Sequence, residues 1–378
     1  MKPTLVALRR ARRLTAGAIE RYLEAHDFPL AEPGRVTFVH RGQADEVNLR
    51  VWLYGLPSSL PFERIGASDL WALELPLPEG SRIEYKLEVR TAGESRWITD
   101  PLNPVLAPDP FGANSVCHAH GYVRPEWTLP DPDALPGSIE EIAAVPGDDR
   151  SGVPVKVYLP PRFRRTRRYP LLVLHDGRDF AEYGDLRVVL DNLVHRLEIP
   201  GLVVVLHEPA ERSAEYVVSE EHAAHLARTL LPALESRLPL TPSPEARVLA
   251  GASLGAVAAL HAAWRHPGTW GRLGLLSGSF AFTDLHHHGR GALFDPIADF
   301  VGRLRREPGA LADRIYLSCG VYESLIHENR ALASLLQAHG LEVRYREVRD
   351  GHNWENWRDR LHECLAWLLP GPIWLVYE

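Results

Sequence analysis

A short apolar run, Leu249-Ala250, leads into Gly251-Ala252-Ser253-Leu254-Gly255, and an alanine-rich helical pattern follows. A serine with glycines two residues to either side marks a nucleophile held at the tip of a strained strand-to-helix turn, where small residues let neighbouring backbone approach closely. A hydroxyl is a weak nucleophile at neutral pH, so this chemistry also needs a histidine base and an acid that orients it. His352, in Asp350-Gly351-His352-Asn353-Trp354, lies between an alternating strand pattern over 341–348 and a helical pattern over 355–369, and is the candidate base. Glu323 follows the apolar run 314–319 and the turn residue Gly320, and is the candidate acid. Two carboxylates rival it: Asp350, which sits two residues from the histidine it would have to face, and Glu328, which opens a helical pattern.

The order Ser253, Glu323, His352 is that of the α/β-hydrolases and differs from the chymotrypsin and subtilisin orders. His175 and His207 also follow strand patterns, but they precede the serine, where this order places no base. Attack on an ester carbonyl builds negative charge on oxygen, which two backbone N–H groups must meet. Leu254 is the candidate for the first. The second belongs to the loop His175-Asp176-Gly177-Arg178-Asp179, with Gly177 permitting an unusual backbone and Gly177 or Arg178 donating. Arg178 and Arg212 are candidate binders of an anionic or catechol-bearing substrate, Arg212 having as its alternative a pair with Glu215 that fixes a loop. Trp354, with Trp357, is a substrate-facing cleft wall or core. No metal and no cofactor are expected: the run His286-His287-His288 cannot easily converge, and Cys117-His118-Ala119-His120 lacks the spaced pairs of a structural zinc site.

The elements that must position these groups change character along the chain. Residues 1–30 read as a helical segment, with Ala18, Ile19, Tyr22 and Leu23 available for burial on one face within the pattern over 7–26. Residues 31–122 carry short alternating runs at 35–40, 47–54, 70–77 and 82–89, separated by Gly, Pro, Ser and Asp turns, which predicts a β-sandwich. Residues 123–136 hold Pro125, Pro130, Pro132 and Pro136 and form a stiff linker. From 137 to 378, strand patterns at 155–159, 171–174, 202–206, 247–250, 273–277, 314–319 and 343–348 alternate with helical ones, among them 221–238, 254–265 and 329–339. Such alternation predicts a mostly parallel sheet with helices on both faces and a ligand site at the carboxyl ends of the strands, where Asp176, Glu208, Ser253, Glu323 and His352 all fall.

With 378 residues and 45% hydrophobic content, the chain is long enough for two domains with buried cores. A net charge of −7 argues against a polyanion-binding surface, and the cluster Arg162, Arg164, Arg165, Arg167, Arg168 reads as a solvated loop, so nucleic acid is not an expected partner. The basic residues at the start precede no apolar core of signal-peptide length, and no later segment is long and apolar enough for a membrane. Three cysteines fit a reducing compartment, so the expected location is cytoplasmic, with homo-oligomerisation left open.

With these residues in hand, the chain resembles the enterochelin esterase family within the esterase-D-like α/β-hydrolases, over most of its length. In the first part the likeness rests on Val36-Thr37-Phe38-Val39, Arg41-Gly42, Asp69-Leu70-Trp71, Glu84-Tyr85-Lys86 and Asp100-Pro101-Leu102-Asn103-Pro104. In the second it rests on Val157-Tyr158-Leu159-Pro160-Pro161, His175-Asp176-Gly177, Gly251-Ala252-Ser253-Leu254-Gly255, Gly320-Val321-Tyr322-Glu323 and Gly351-His352-Asn353-Trp354. The resemblance implies an α/β-hydrolase fold preceded by an early-set immunoglobulin-like sandwich, with Ser253 as nucleophile, His352 as base and Glu323 as third member. It also implies a small-molecule ester substrate, a ferric catecholate siderophore lactone opened inside the cell. Ala256 stands where many relatives have a second glycine and Asn353 where many have Asp. Feruloyl and acetyl carbohydrate esterases share a similar catalytic domain, which gives the alternative substrate class; a catalytically silent glycan- or partner-binding protein is the alternative of another class.

Overall fold

The computed structural model describes residues 4–10, 14–142, 155–282 and 290–371, and the chain divides into two compact units. The first comprises Met1–Arg124 with Val321–Ser324 and Arg349–Gly351; the second comprises Pro125–Gly320, Leu325–Val348 and His352–Glu378.

The first unit begins with two helices where the sequence predicts one helical stretch, α1 (Leu5–Arg10) and α2 (Ala16–Glu24). Thr15 starts the second by accepting the Ala18 N–H on its hydroxyl, a cap that begins a new helix rather than continuing an old one. As expected from the spacing, Ile19 and Tyr22 are buried. Ten strands follow: β1 (Leu30–Glu32), β2 (Arg35–Arg41), β3 (Glu46–Val51), β4 (Ser59–Pro61), β5 (Glu63–Arg64), β6 (Leu70–Pro76), β7 (Arg82–Thr91), β8 (Glu94–Ile98), β9 (Leu106–Asp109) and β10 (Gly112–His118). They make two antiparallel sheets, β1-β2-β6-β5 and β4-β3-β7-β10-β9 with β8 also on β7. Apolar residues from both, including Val36 and Phe38 of β2 and Leu49, Tyr85 and Leu87 of β3 and β7, share one core. Most strands that alternation did not reveal are short or exposed, as in β8, where little apolar signal exists to read; β10, with Ser115, Val116 and Cys117 buried in succession, lacks the alternation itself. The Asp100–Asn103 motif is a buried polar knot. The Tyr85 hydroxyl donates to Asp100 Oδ2 at 2.7 Å, and Asn103 Nδ2 donates to Tyr85 and to the Val116 carbonyl, so every group taken from water is repartnered.

The second unit is built on an eight-stranded sheet: β11 (Ser138–Ile142), β12 (Val155–Leu159), β13 (Leu171–His175), β14 (Val203–His207), β15 (Arg247–Ala252), β16 (Arg272–Leu276), β17 (Arg314–Gly320) and β18 (Glu342–Val348). Their order is β11-β12-β14-β13-β15-β16-β17-β18, with β12 antiparallel to both of its neighbours, β11 and β14, and every other pair parallel. The central strands read as unbroken Val/Ile/Leu runs because both faces are covered. One face carries α3 (Gly177–Tyr183), α4 (Leu186–His195) and α11 (Trp354–Leu368), whose Phe180, Leu190 and Leu361 pack on Leu172, Val204 and Val248. The other carries α5 (Arg212–Tyr216), α6 (Glu220–His225), α7 (Leu231–Arg237), α8 (Leu254–Arg265), α9 (Asp295–Arg306) and α10 (Ile326–Ala338), around Val173, Leu249 and Ile315. The helical pattern over 221–238 resolves into α6, a π-turn at 226–230 and α7. Pro232, which has no N–H to give the regular ladder, lies in the first turn of α7. Gly340 ends α10 at φ 79°, the left-handed position the sequence predicts. Among the described residues no helix is long and apolar enough to cross a membrane.

Candidate active site

β15 runs directly into α8 through Ser253, whose backbone sits at φ 58°, ψ −122°, a conformation that costs free energy for any residue with a side chain. Its neighbours hold it there. The Ser253 N–H donates to the Leu276 carbonyl at 2.9 Å and its carbonyl accepts the Ser279 N–H at 3.1 Å, so the turn is stitched to the end of β16. A Cβ on Gly251 would come within 2.6 Å of the Gly255 backbone, and one on Gly255 within 3.0 Å of His175 Cβ. Close approach to backbone thus requires Gly251 and leaves a Cβ at 255 little room, while neither glycine has a positive φ.

The Ser253 hydroxyl lies 3.0 Å from Ser279 Oγ, a partner that the sequence reading did not include. Its signal was available in Ser277-Gly278-Ser279, directly after the strand next to β15. Asn329, fully buried on α10, clamps this loop by accepting the Gly278 N–H and donating to its carbonyl. Ser277 Oγ in turn accepts the Trp357 indole N–H at 3.0 Å, and the His352 ring stands edge-on to Trp357 at 4.9 Å. Ser253, Ser279, Ser277, Trp357 and His352 therefore form a continuous contact chain at the carboxyl edge of the sheet. Trp354 packs at right angles on Phe180 and Trp357, with centroids 5.3 Å and 4.8 Å away, so most of its ring serves the core beneath α11.

Two of the carboxylates that could orient a base, Asp350 and Glu328, each meet a guanidinium. Asp350 Oδ1 lies 3.3 Å from the nearly fully buried Arg82 and accepts the Gly351 N–H at 2.7 Å, while Glu328 pairs with Arg290 at 2.9 Å from the first turn of α10. Glu323, in the turn after β17, is 3% exposed.

The loop after β13 departs from expectation in two respects. The unusual backbone belongs to Asp176, at φ 55°, ψ 37°, and Gly177 is needed for another reason: a Cβ there would stand 2.3 Å from Leu206 Cα on β14. Also, the Arg178 N–H donates to Glu208 Oε1 at 2.6 Å, so of the two candidate donors in this loop it already has an acceptor. Gly177 and Leu254 are the first residues of α3 and α8, where amides have no acceptor one turn back in their own helix. Gly177→Ala is expected to cost about 1–3 kcal/mol by overpacking against β14 and to lower Tm and ester turnover together; a variant unchanged in both would contradict this role.

Arg212 pairs with Asp176, its Nε and Nη2 at 3.0 and 2.8 Å from the two carboxylate oxygens, and not with Glu215. Glu215 instead accepts the Ala210 and Glu211 N–H groups and lies 3.4 Å from His222 Nδ1. The Arg178 side chain is exposed and 3.7 Å from Glu182. Burial raises the pKa of Glu208 above the usual carboxylate range, and burial with the charge of Asp176 does the same for Asp179. Of the histidine runs, 286–288 lies outside the described residues. His118 stacks on Tyr122 while His120 faces Glu79, so the run at 117–120 does not converge. His175 and His207, read only as unused bases, meet His222, which the sequence reading left out.

The family model described as "Putative esterase" matches residues 150–368, more than half of the chain. The chain belongs to this esterase family. It is accordingly a hydrolase of ester bonds. It is 28% identical over 355 residues to the iron(III) enterobactin esterase of Escherichia coli K12, and 25% identical over 352 residues to that of E. coli O6:H1; each alignment covers 84% of this chain and 85% of the relative. The enterobactin esterase of Shigella flexneri, solved in the presence of enterobactin, superposes with a TM-score of 0.73 at 22% identity over 92% of this chain and 97% of that one, a likeness of fold.

Proposed function

We propose that this esterase opens the ester bonds of a catecholate siderophore lactone through an acyl-enzyme on Ser253. The observation that carries the reading is the backbone of Ser253: the central residue of Gly251–Gly255 is held in a costly conformation at the carboxyl edge of the sheet, directly before a helix. In the mechanism, the Ser253 hydroxyl leaves Ser279, gives its proton to His352 and attacks the ester carbonyl. Leu254 and Gly177 N–H groups receive the oxyanion, and His352 returns the proton to the leaving alkoxide. Water then repeats the sequence on the acyl-enzyme. We assign Glu323 the role of holding the imidazolium, because it lies buried in the turn after β17, where the hydrolase order of nucleophile, acid and base puts the acid.

The substrate class rests on the relatives, whose names specify iron(III) enterobactin and whose likeness runs through both units. Arg178, exposed, and Arg212, oriented by Asp176 with its Nη1 not engaged by that carboxylate, supply the cationic donors that a catecholate would meet. We further propose that the two-sheet unit is an early-set immunoglobulin-like sandwich over 31–122, joined through 123–136 to the hydrolase domain over 137–378. The reaction is placed in the cytoplasm, for which the three buried free cysteines suit a reducing compartment. Side-by-side turnover on siderophore lactones, feruloyl and acetyl sugars and simple acyl esters tests the substrate. The lactone is expected to give the highest kcat/KM, and a sugar ester ahead of it would move the enzyme to the carbohydrate esterases.

A further inference from the structure

Three histidines that the esterase mechanism does not use converge inside the second unit. His175 and His207 end the adjacent parallel strands β13 and β14 and are in register, so their side chains lie on the same face of the sheet. His222, on α6, completes the group. One ring nitrogen from each lies within 4.8 Å of the others, and the three residues are 0%, 5% and 4% exposed.

The partner of the His175 ring fixes where its lone pair faces. His175 Nδ1 is 3.0 Å from the Ala250 carbonyl, which can only accept, so the proton sits on Nδ1 and Nε2 presents a lone pair. His222 Nδ1 lies 3.4 Å from Glu215 Oε2, an electrostatic contact whose geometry is not that of a hydrogen bond, on a side chain held in place by two backbone N–H groups. The Nε2 atoms of His175 and His222 face each other at 3.0 Å. With the lone pair of His175 Nε2 on one side, so close an approach is bridged either by a proton on His222 Nε2 or by an electron-poor ion. A histidine that ligates a metal typically donates its other N–H to a backbone carbonyl or a carboxylate, as His175 does to Ala250. Neutral imidazoles suit Zn²⁺ and its first-row neighbours, and Zn–N bonds of about 2.0–2.1 Å in a tetrahedron set nitrogens roughly 3.3 Å apart.

We propose that His175, His207 and His222 bind one divalent transition-metal ion, Zn²⁺ fitting best, with water in the fourth position. The ion would tie β13, β14 and α6 together beneath the loop that begins at Asp176. The site is independent of the substrate reading, and its test does not depend on turnover.

Full-length protein stripped with a chelator and titrated with Co²⁺ should gain the visible absorption of a four-coordinate site at one ion per chain. Zn²⁺ should displace the Co²⁺ and raise Tm. His207→Ala and His222→Ala should lose both signals. Should either variant fail to fold, His207→Gln and His222→Gln, which fill more of the buried space, are expected to lose both signals. Folded wild-type protein that shows neither absorption nor a Tm shift would overturn the site and leave a shared proton between His175 and His222. Undiminished binding by folded His207 and His222 variants would overturn it too.

Discussion

Ser253→Ala is expected to abolish ester turnover while leaving the protein folded. Removing the nucleophile of a triad lowers kcat by about 10⁶-fold, roughly 8 kcal/mol of transition-state stabilisation. What remains is the contribution of the oxyanion donors and of substrate binding. The fold should not register the change. Alanine and serine meet the same cost at φ 58°, ψ −122°, and the backbone bonds to Leu276 and Ser279 that hold the turn are unaltered. Substrate hydrolysis and a thermal melt on the same preparation separate the two effects. An unchanged kcat would remove Ser253 from the mechanism, and a collapsed melt would show that its hydroxyl is structural.

The second large effect concerns the acid. Glu323→Gln keeps the shape but loses the charge that stabilises an imidazolium, and the expected fall in kcat is about 10⁴-fold with KM little changed. The rival carboxylates should behave differently. Glu328→Gln removes an ion pair with Arg290 at 18% exposure on each side and should shift stability more than kcat. Asp350→Asn takes a carboxylate partner from the buried Arg82 guanidinium and is expected to cost up to about 3–5 kcal/mol of stability. Steady-state kinetics and melts on the three variants sort the roles. A kcat loss in Asp350→Asn or Glu328→Gln that matched or exceeded that in Glu323→Gln would transfer the assignment.

What could be read in the sequence was what neighbouring residues determine. The alternation of apolar runs with helical patterns specifies the parallel sheet, and the glycines at 251 and 255 mark a close approach that the structure places within a few ångströms of backbone and of His175. Pairings across long separations were not readable. Arg212 had Glu215 three residues away, yet it binds Asp176, 36 residues earlier, because β13 and β14 are neighbours and their loops emerge together. The same adjacency brings Glu208 to the Arg178 amide and gives an acceptor to a donor that local reasoning had offered. His175, His207 and His222 looked like isolated histidines because 47 residues separate the first from the last. Ser279 was missed for a similar reason: only the pairing of β15 with β16 sets it against Ser253. Pro232 was visible in the pattern over 221–238, but its effect, a π-turn followed by a new helix, depends on how the surrounding ladder repartners.

The claim on which the mechanism stands is that Ser253 is a nucleophile activated within this fold. Reaction with a fluorophosphonate probe, followed by peptide mass mapping, measures it directly. One adduct is expected, on Ser253, absent from Ser253→Ala and formed far more slowly by His352→Ala. Adduct formation at another residue, or none in folded wild-type protein, would contradict it.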